Sequence, residues 1–228
     1  MALDRSKLYA AVTGDVISSS AFDDSKRGLL HEAVLGVADE MKAYFPGLLE
    51  GGVSIFRGDS VQFLLVDPAR SLRAVMFFRT ALKASLADYK TDMRLSIGIG
   101  SVSFLPATEK GGADGEAYRL SGSSLDALAA KETLTINMSS AWGTEAQREA
   151  LRTIAVLLGF QADCWTYKQA LAVKWAILDK TQEEISQLWP DPVTRQAIAK
   201  SLDGAGLFAV VRALNFFENQ VFQTKATS

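Results

Sequence analysis

The sequence predicts an α+β fold in which a βαββαβ unit is followed by an all-helical segment. Up to about residue 138, short apolar runs typical of strands alternate with segments whose apolar residues recur at helical spacing. Beyond that point the strand-like alternation stops. All four tryptophans fall in this second stretch, at Trp142, Trp165, Trp175 and Trp189. We therefore predict two domains, residues 1–138 and residues 139–228.

Length and composition point to a soluble globular protein. The chain has 228 residues, of which 48% are hydrophobic, enough for a sizeable core. The chain has 24 Lys and Arg residues and 26 Asp and Glu residues, which excludes a strongly basic nucleic-acid coat protein. The single cysteine, Cys164, allows no intramolecular disulfide. The first apolar run is too short for a signal peptide or a membrane span, so we expect a cytoplasmic protein with no membrane partner.

The first two predicted elements are a buried strand and an amphipathic helix. Residues 8–13 form a compact apolar run that ends at Gly14-Asp15, before a serine tract at residues 18–20. From residue 23 to residue 45 apolar residues recur at helical spacing, and Pro46-Gly47 ends the segment. A polar loop therefore joins the strand to the helix.

A hairpin and a second helix and strand complete the unit. Residues 53–57 and 61–66 are predicted strands around the tight turn Gly58-Asp59-Ser60. Residues 69–89 predict a helix, and residues 93–104 predict a long strand. This order is that of a ferredoxin-like fold, in which two helices cover one face of a mostly antiparallel sheet.

Further elements follow this unit. Residues 116–131 predict a helix and residues 134–136 a short strand. In the helical segment, residues 181–188 and 194–202 are typical of the two helices of a helix-turn-helix, separated by Pro190-Asp191-Pro192. Thr194 is the predicted N-cap of the second helix.

Two aspartates that each follow a glycine are the candidate metal ligands. Asp15 follows the first strand and Asp59 lies in the hairpin, and adjacent strands of this topology would bring them together. Mg²⁺ takes one or two protein carboxylates, keeps several waters and accepts substrate phosphate oxygens. The backbone carbonyl of Val16 could add a ligand. The alternative is that both Gly-Asp pairs only shape turns.

The loop at residues 17–20 is a candidate phosphate site. It offers hydroxyls and backbone N–H groups next to a predicted helix N-terminus, which is an arrangement that holds anions. Arg57 and Arg119 could supply cations near the site, with solvated positions at strand and helix ends as the alternative. His31 lies on an amphipathic helix, where we expect a surface or structural role.

Several motifs resemble the SatD family of bacterial proteins over most of the chain. They are Gly14-Asp15-Val16, Gly58-Asp59-Ser60-Val61-Gln62, residues 94–100, residues 112–118, residues 165–169 and the Thr181-Gln182 helix. More distantly, the element order and the two Gly-Asp pairs are similar to the palm-type catalytic domain shared by class III nucleotide cyclases and GGDEF enzymes. Such domains use two metals to activate a ribose hydroxyl for attack on an α-phosphate.

This resemblance implies an ATP or GTP ligand bound with Mg²⁺. The metal ligands would be Asp15, Asp59 and the Val16 carbonyl. The residues implied to contact the nucleotide are Ser18, Ser19 and Asp114, with Arg57 and Arg119 as nearby cations.

Departures from the cyclase pattern favour nucleotide binding over turnover. Ile55 stands where cyclases have a base-reading lysine, and Gly122 stands where the SatD relatives have an arginine. Ser60 and Val61 replace an acidic and an aromatic residue. A missing transition-state cation costs several kcal/mol of stabilisation, roughly 3 or more. We expect a regulatory protein, with an active Mg²⁺-dependent nucleotidyl cyclase-like enzyme as the alternative.

The helix-turn-helix suggests double-stranded DNA as a partner. The side chains expected to meet DNA are Thr194, Arg195, Gln196 and Lys200. Six basic and five acidic residues lie between residues 165 and 214, so the surface is not clearly positive. The alternatives are a scaffold for dimerisation and a nucleotide-independent DNA-binding or assembly protein. The apolar last helix, residues 207–221, could pack across a homodimer.

Overall fold

A computed structural model describes residues 4, 7–17, 27–56, 58–105, 113–220 and 222. Its five-stranded sheet has the order β2-β3-β1-β4-β5. The strands are β1 (Tyr9–Ile17), β2 (Leu49–Phe56), β3 (Ser60–Leu65), β4 (Asp92–Gly100) and β5 (Leu134–Met138). The pairs β2–β3, β3–β1 and β1–β4 are antiparallel, and β5 runs parallel to β4. This arrangement confirms the mixed α+β fold and the predicted βαββαβ order, with β5 added at one edge.

Helices cover both faces of the sheet and continue beyond it. They are α1 (Arg27–Tyr44), α2 (Ser71–Ser85), α3 (Glu116–Asp126), α4 (Glu145–Asp163), α5 (Tyr167–Ala176), α6 (Gln182–Gln187), α7 (Arg195–Gly204) and α8 (Leu207–Glu218). Apolar side chains of α1 and α2 share a core with Ala10 and Val12 of β1. The alternate β1 residues Tyr9 and Ala11 pack with Ala117 of α3. The two helices α1 and α2 therefore lie on one face and α3 on the other, since successive strand side chains point to opposite faces.

Strand β1 is longer than predicted, and Asp15 lies inside it. The predicted strand ended at residue 13, whereas the observed strand continues to Ile17 because β1 is paired along both edges. A Cβ at Gly14 would lie 2.5 Å from Leu95 Cδ2 and 2.7 Å from the Arg94 carbonyl oxygen. Gly14 is thus required by close packing within the sheet, and the alternative in which this Gly-Asp pair only shapes a turn does not apply to it.

Other boundaries differ at the ends of elements. The predicted helix at residues 69–89 is α2 with a short 3₁₀ turn on either side, Pro68–Arg70 and Ala87–Tyr89. Asp67 starts the first turn, because its carboxylate accepts a hydrogen bond from the Ala69 N–H at 3.0 Å. Strand β4 stops at Gly100, four residues before the predicted end, and α3 stops at Asp126.

Glycine permits the close approach of α3 to the sheet. A Cβ at Gly98 of β4 would lie 2.1 Å from the Ala117 carbonyl oxygen and 2.4 Å from the Ser121 backbone nitrogen. Both atoms belong to the backbone of α3, so neither can move without moving the helix. On the same interface, the hydroxyls of Thr13 and Ser121 are hydrogen-bonded at 2.8 Å.

One hydrophobic core runs through both predicted domains. A single cluster of buried residues extends from Leu8 on the β1 side to Phe217 in α8. Helix α2 contacts the sheet and also α5 and α8. Its Arg73 donates hydrogen bonds to Glu218 at 2.8 Å and to the Ile177 carbonyl at 2.7 Å. The division proposed at residue 138 therefore separates two stretches of sequence that share one core.

Helix α8 packs largely within its own chain. Leu214 and Phe217, which we expected to serve a dimer interface, are fully buried in the core. Phe222 stacks on Trp142 with ring centroids 4.9 Å apart. Phe208 and Phe216 are the exposed large apolar side chains of this helix. Across the described ranges, none of the helices combines the length and the hydropathy needed to cross a bilayer.

Candidate functional site

The two candidate aspartates lie on neighbouring segments of backbone. Asp15 of β1 is the register partner of Ser60 of β3. The next β1 residue, Val16, donates its N–H to the Asp59 carbonyl oxygen at 3.1 Å. Asp59 sits in the turn between β2 and β3, after Gly58, whose φ of 87° favours glycine. The two aspartates are therefore one register step apart at the same end of the sheet.

The carboxylate of Asp15 is engaged by Arg94 of β4. Arg94 Nε donates to Asp15 Oδ1 at 2.9 Å, and Arg94 Nη2 donates to Asp15 Oδ2. The two residues are register partners, which is why their side chains meet on the face covered by α3. The hydrogen bond to Asp15 raises the pKa of Arg94 above its ordinary value, so the guanidinium is firmly cationic. Both carboxylate oxygens of Asp15 thus have a cationic partner.

The donor atoms at this end of the sheet are of the kind that Mg²⁺ accepts, and in the structure Arg94 occupies both oxygens of Asp15. The N–H and C=O of an antiparallel strand residue point to the same neighbour, so the Val16 carbonyl is directed to the hairpin as its N–H is. Two carboxylates and one carbonyl are the hard oxygen donors that Mg²⁺ prefers. Among the residues described, no group of three or more His, Cys, Asp or Glu side chains could hold a metal. Waters and phosphate oxygens would have to complete an octahedron.

The structure does not bring Asp114 and Arg119 to the two aspartates. Arg119 Nη1 donates to Asp114 Oδ1 at 2.6 Å, and this exposed pair lies where α3 begins. Helix α3 begins beside the carboxyl end of β4, since the Ala117 N–H donates to the Ser101 carbonyl at 3.1 Å. Asp15 pairs with Arg94 near the other end of β4, about 20 Å away at ~3.3 Å per residue. The expected base or ribose contact of Asp114 is thus not supported by its position.

The remaining predicted nucleotide contacts lie outside the described residues. These are Ser18, Ser19 and Arg57. His31 is exposed on α1, as expected for a surface role.

Sequence reasoning missed Arg94 as the partner of Asp15. The available signal was the alternation of β4, in which polar Arg94 and Ser96 separate the apolar residues Met93, Leu95 and Ile97. That alternation assigns Arg94 to a face of the sheet. The alternation does not reveal the register between β1 and β4, and it is this register that places Arg94 opposite Asp15.

The predicted DNA-contacting residues share one exposed stretch of α7. Thr194, Arg195, Gln196 and Lys200 are all exposed. Thr194 caps the helix as predicted, because its hydroxyl accepts from the Ala197 N–H at 3.2 Å. Helices α6 and α7 contact each other, but α6 has only six residues. The seven residues between Gln187 and Arg195 exceed the three or four of a typical helix-turn-helix turn.

Comparisons with solved structures find distant similarity to nucleotide cyclases. The guanylyl cyclase Cya2 aligns with 61% of this chain and 78% of its own, at 16% identity and a TM-score of 0.39. The adenylyl cyclase CyaB from P. aeruginosa aligns with 59% of this chain and 77% of its own, at 15% identity and a TM-score of 0.41. A bacterial light-regulated adenylyl cyclase aligns with 59% of this chain and 43% of its own, at 15% identity and a TM-score of 0.38.

These values describe a distant likeness and assign no activity, metal or nucleotide to this chain. No protein-family model and no curated protein matches the sequence. The resemblance to the SatD family therefore stays a prediction.

Proposed function

We propose that this protein binds ATP or GTP with Mg²⁺ at the end of the sheet that carries Asp15 and Asp59, and that it acts as a regulator. One observation supports the proposal above the others. The two carboxylate-bearing residues are one register step apart, with the Val16 N–H bonded to the Asp59 carbonyl between them. Mg²⁺ would neutralise phosphate charge at this point, and the two aspartates would hold it.

Arg94 has a defined part in this proposal. Its guanidinium neutralises the carboxylate of Asp15. If Asp15 held Mg²⁺, Arg94 would lose its present partner and could contact a phosphate group. A guanidinium binds phosphate oxygens in bidentate fashion, so the released side chain would gain a new partner.

Binding without turnover is the form of the proposal that the chain supports. Arg119, one of the two arginines expected to replace a missing cation, lies at the far end of α3 from the aspartates and pairs with Asp114. Ile55 stands where cyclases have a lysine, and Gly122 stands where the SatD relatives have an arginine. Phosphoryl transfer depends on such cations to neutralise charge in the transition state.

Removing either aspartate should abolish most nucleotide binding. We expect Asp15→Asn and Asp59→Asn each to weaken Mg²⁺-ATP and Mg²⁺-GTP binding at least about tenfold, since one charge-assisted contact contributes roughly 1.5 kcal/mol or more. Isothermal titration calorimetry with and without Mg²⁺ measures this. Asp39→Asn is the matched control, because Asp39 is exposed on α1, where its carboxylate accepts from Lys42 at 3.4 Å.

Two results would contradict the proposal. One is the absence of any Mg²⁺-dependent heat with both nucleotides. The other is an equal loss of affinity in Asp39→Asn and the two site variants. The enzyme alternative is tested in the same samples by chromatography, because conversion of ATP or GTP to a cyclic product would show turnover.

Double-stranded DNA is a second candidate ligand, favoured by the exposed stretch of α7. Arg195 and Lys200 are the cations of that stretch, and neither forms an ion pair with a described carboxylate. If α7 contacts phosphates, Arg195→Gln and Lys200→Gln should each weaken binding to a random-sequence duplex. Each should also reduce the slope of log affinity against log salt by about 1. Lys131→Gln, an exposed lysine outside the helical segment, is the control.

Fluorescence anisotropy over a range of salt concentrations measures this expectation. Binding that is equally salt-dependent in all three variants would exclude α7 as the contact surface. Absence of binding by the wild-type chain would leave α6 and α7 as a scaffold within the shared core.

A further inference from the structure

A cavity of about 460 Å³ lies beside the end of β1, and its described lining includes neither Asp15 nor Asp59. Its walls come from Ile17 of β1, the carboxyl end of α2 with the turn that follows, the start of β4, Thr133 before β5, and the corner between α4 and α5. Small-molecule sites commonly enclose about 300–1,000 Å³. The cavity is therefore large enough for a ligand of the size of a substituted benzene ring.

A buried ionic cluster forms one wall of this cavity. Its centre is Arg79 of α2, whose side chain is only 1% exposed. Arg79 donates two hydrogen bonds of 2.9 Å to the Asp92 carboxylate and one to Asp163 Oδ1. Lys83 donates to Asp92 Oδ2 at 2.8 Å. The cavity-lining carboxylates of Asp92 and Asp163 are thus held by cations that belong to the protein.

Both oxygens of the Asp92 carboxylate already accept hydrogen bonds from cations of the protein. Burial by itself would raise the pKa of Asp92, but Arg79 and Lys83 outweigh it and hold that pKa below the ordinary value. Asp92 therefore stays ionised and saturated with donors. Asp163 also accepts from the Thr133 hydroxyl at 2.8 Å. Together with Lys90, the cluster has three cations and two carboxylates, an excess of one positive charge.

Lys90 carries that excess charge at the mouth of the cavity. It lines the cavity, is exposed, and adopts a left-handed conformation with φ of 50°. Among the described residues, no carboxylate lies within 4.0 Å of its ammonium group. Lys90 is the cation that an entering anion would meet, because Lys83, which also lines the cavity, already donates to Asp92 at 2.8 Å and to the Ala162 carbonyl at 3.0 Å.

Two aromatic side chains form another part of the wall. Trp165 is 4% exposed and belongs to the main core, and its indole N–H donates to the Ala205 carbonyl at 2.9 Å, so the side chain borders the cavity with its polar atom already satisfied. Tyr167, at the start of α5, is 48% exposed. Aromatic walls with a few placed polar groups are typical of sites for small organic ligands.

We propose that this cavity binds a small organic anion that carries an aromatic ring. Its carboxylate or phosphate contacts Lys90, and its ring lies beside Trp165 and Tyr167. The inference goes beyond the proposed nucleotide site and does not depend on it, because no metal and neither of the two site aspartates takes part.

Titration calorimetry of the full chain in EDTA tests the proposal with defined probes. Phenyl phosphate and benzoate are the two anionic aromatic probes, inorganic phosphate lacks the ring, and benzylamine carries the opposite charge. We expect at least one anionic aromatic probe to bind, inorganic phosphate to bind at least about tenfold more weakly, and benzylamine not to bind. The stronger of the two aromatic probes identifies the preferred anionic group. The EDTA removes Mg²⁺, so failure of the nucleotide proposal does not affect this result.

Variants locate the binding within the fold. Lys90→Gln should weaken the aromatic anion at least about tenfold, the equivalent of one charge-assisted contact of roughly 1.5 kcal/mol. Tyr167→Ala should weaken phenyl phosphate more than inorganic phosphate. Lys42→Gln, an exposed lysine on α1, is the matched control and should bind as the wild type does. The proposal is overturned if neither aromatic anion binds, or if Lys90→Gln and Lys42→Gln have the same affinity.

Discussion

Replacing Arg79 with methionine should lower the free energy of unfolding by about 3–5 kcal/mol. The side chain of Arg79 is 1% exposed, and it neutralises both Asp92 and Asp163. Methionine fills part of the volume but leaves two carboxylates with too few cations, and Lys83 can neutralise only one. Since a whole domain is stable by only about 5–15 kcal/mol, the loss is a large fraction of the total. Thermal or urea denaturation monitored by circular dichroism measures it.

Arg152→Met is the matched control for this variant. Arg152 pairs with Glu149 in the same helix, at side-chain exposures of 33% and 58%, and such surface pairs contribute at most about 1 kcal/mol. If Arg79→Met costs no more than Arg152→Met, the buried cluster does not stabilise the fold as described.

The same cluster gives stability a defined dependence on pH. The folded pKa of Asp92 lies below its ordinary value of 3.8, because Arg79 and Lys83 outweigh the effect of burial. The contribution of Asp92 to the free energy of unfolding is therefore fully present when the pH is above the ordinary pKa. It is lost as the pH falls through the folded pKa. In Arg79→Met the cation that lowers this pKa most is gone, so we expect a smaller loss of stability between neutral and acid pH.

Gly98→Ala should also be strongly destabilising, by about 3 kcal/mol or more. The added methyl group would stand 2.1 Å from the Ala117 carbonyl oxygen and 2.4 Å from the Ser121 nitrogen. Because both contacts are to helix backbone, relief requires α3 to move away from β4. That movement would also break the hydrogen bond between Thr13 and Ser121. Urea denaturation measures the change, and loss of folded protein on expression would be its extreme form.

Gly122→Ala is the control on the same helix. An added Cβ at Gly122 meets no atom within 4 Å, and the residue lies inside α3. Alanine in a helix interior is favoured over glycine by about 0.5–1 kcal/mol, so this variant should be more stable than the wild type. Similar stability changes in the two variants would contradict the close packing at Gly98.

Much of the sheet could be predicted from sequence because its signals are local. Alternation and turn residues identified β2 and β3, and the element order brought Asp15 and Asp59 to neighbouring strands. The pairing of Asp15 with Arg94 could not be predicted, since it depends on the register between β1 and β4. The proposed role of Asp114 came from resemblance, and the direction of β4, antiparallel to β1, places Asp114 at the opposite end of the sheet.

The shared core was the largest feature that the sequence did not reveal. A change in composition near residue 140 suggested two domains, and helical periodicity shows which face of a helix is apolar without naming its partner. Helix α2 is apolar around most of its circumference and is buried between the sheet on one side and α5 and α8 on the other. Such a pattern indicates a central helix. Here α2 packs against elements from both sides of residue 138.

This central position of α2 bears on how a bound ligand could be sensed elsewhere in the molecule. In proteins whose modules share only a linker, a signal passes as a hinge rotation of one rigid body against another. Here α2 packs against both the sheet and the C-terminal helices, and its Arg73 is hydrogen-bonded to Glu218 of α8. A hinge rotation at residue 138 would have to separate side chains that are closely packed in the shared core. Communication between Asp15 and α7 would instead travel as small shifts of side-chain packing through α2, without separation of the two parts.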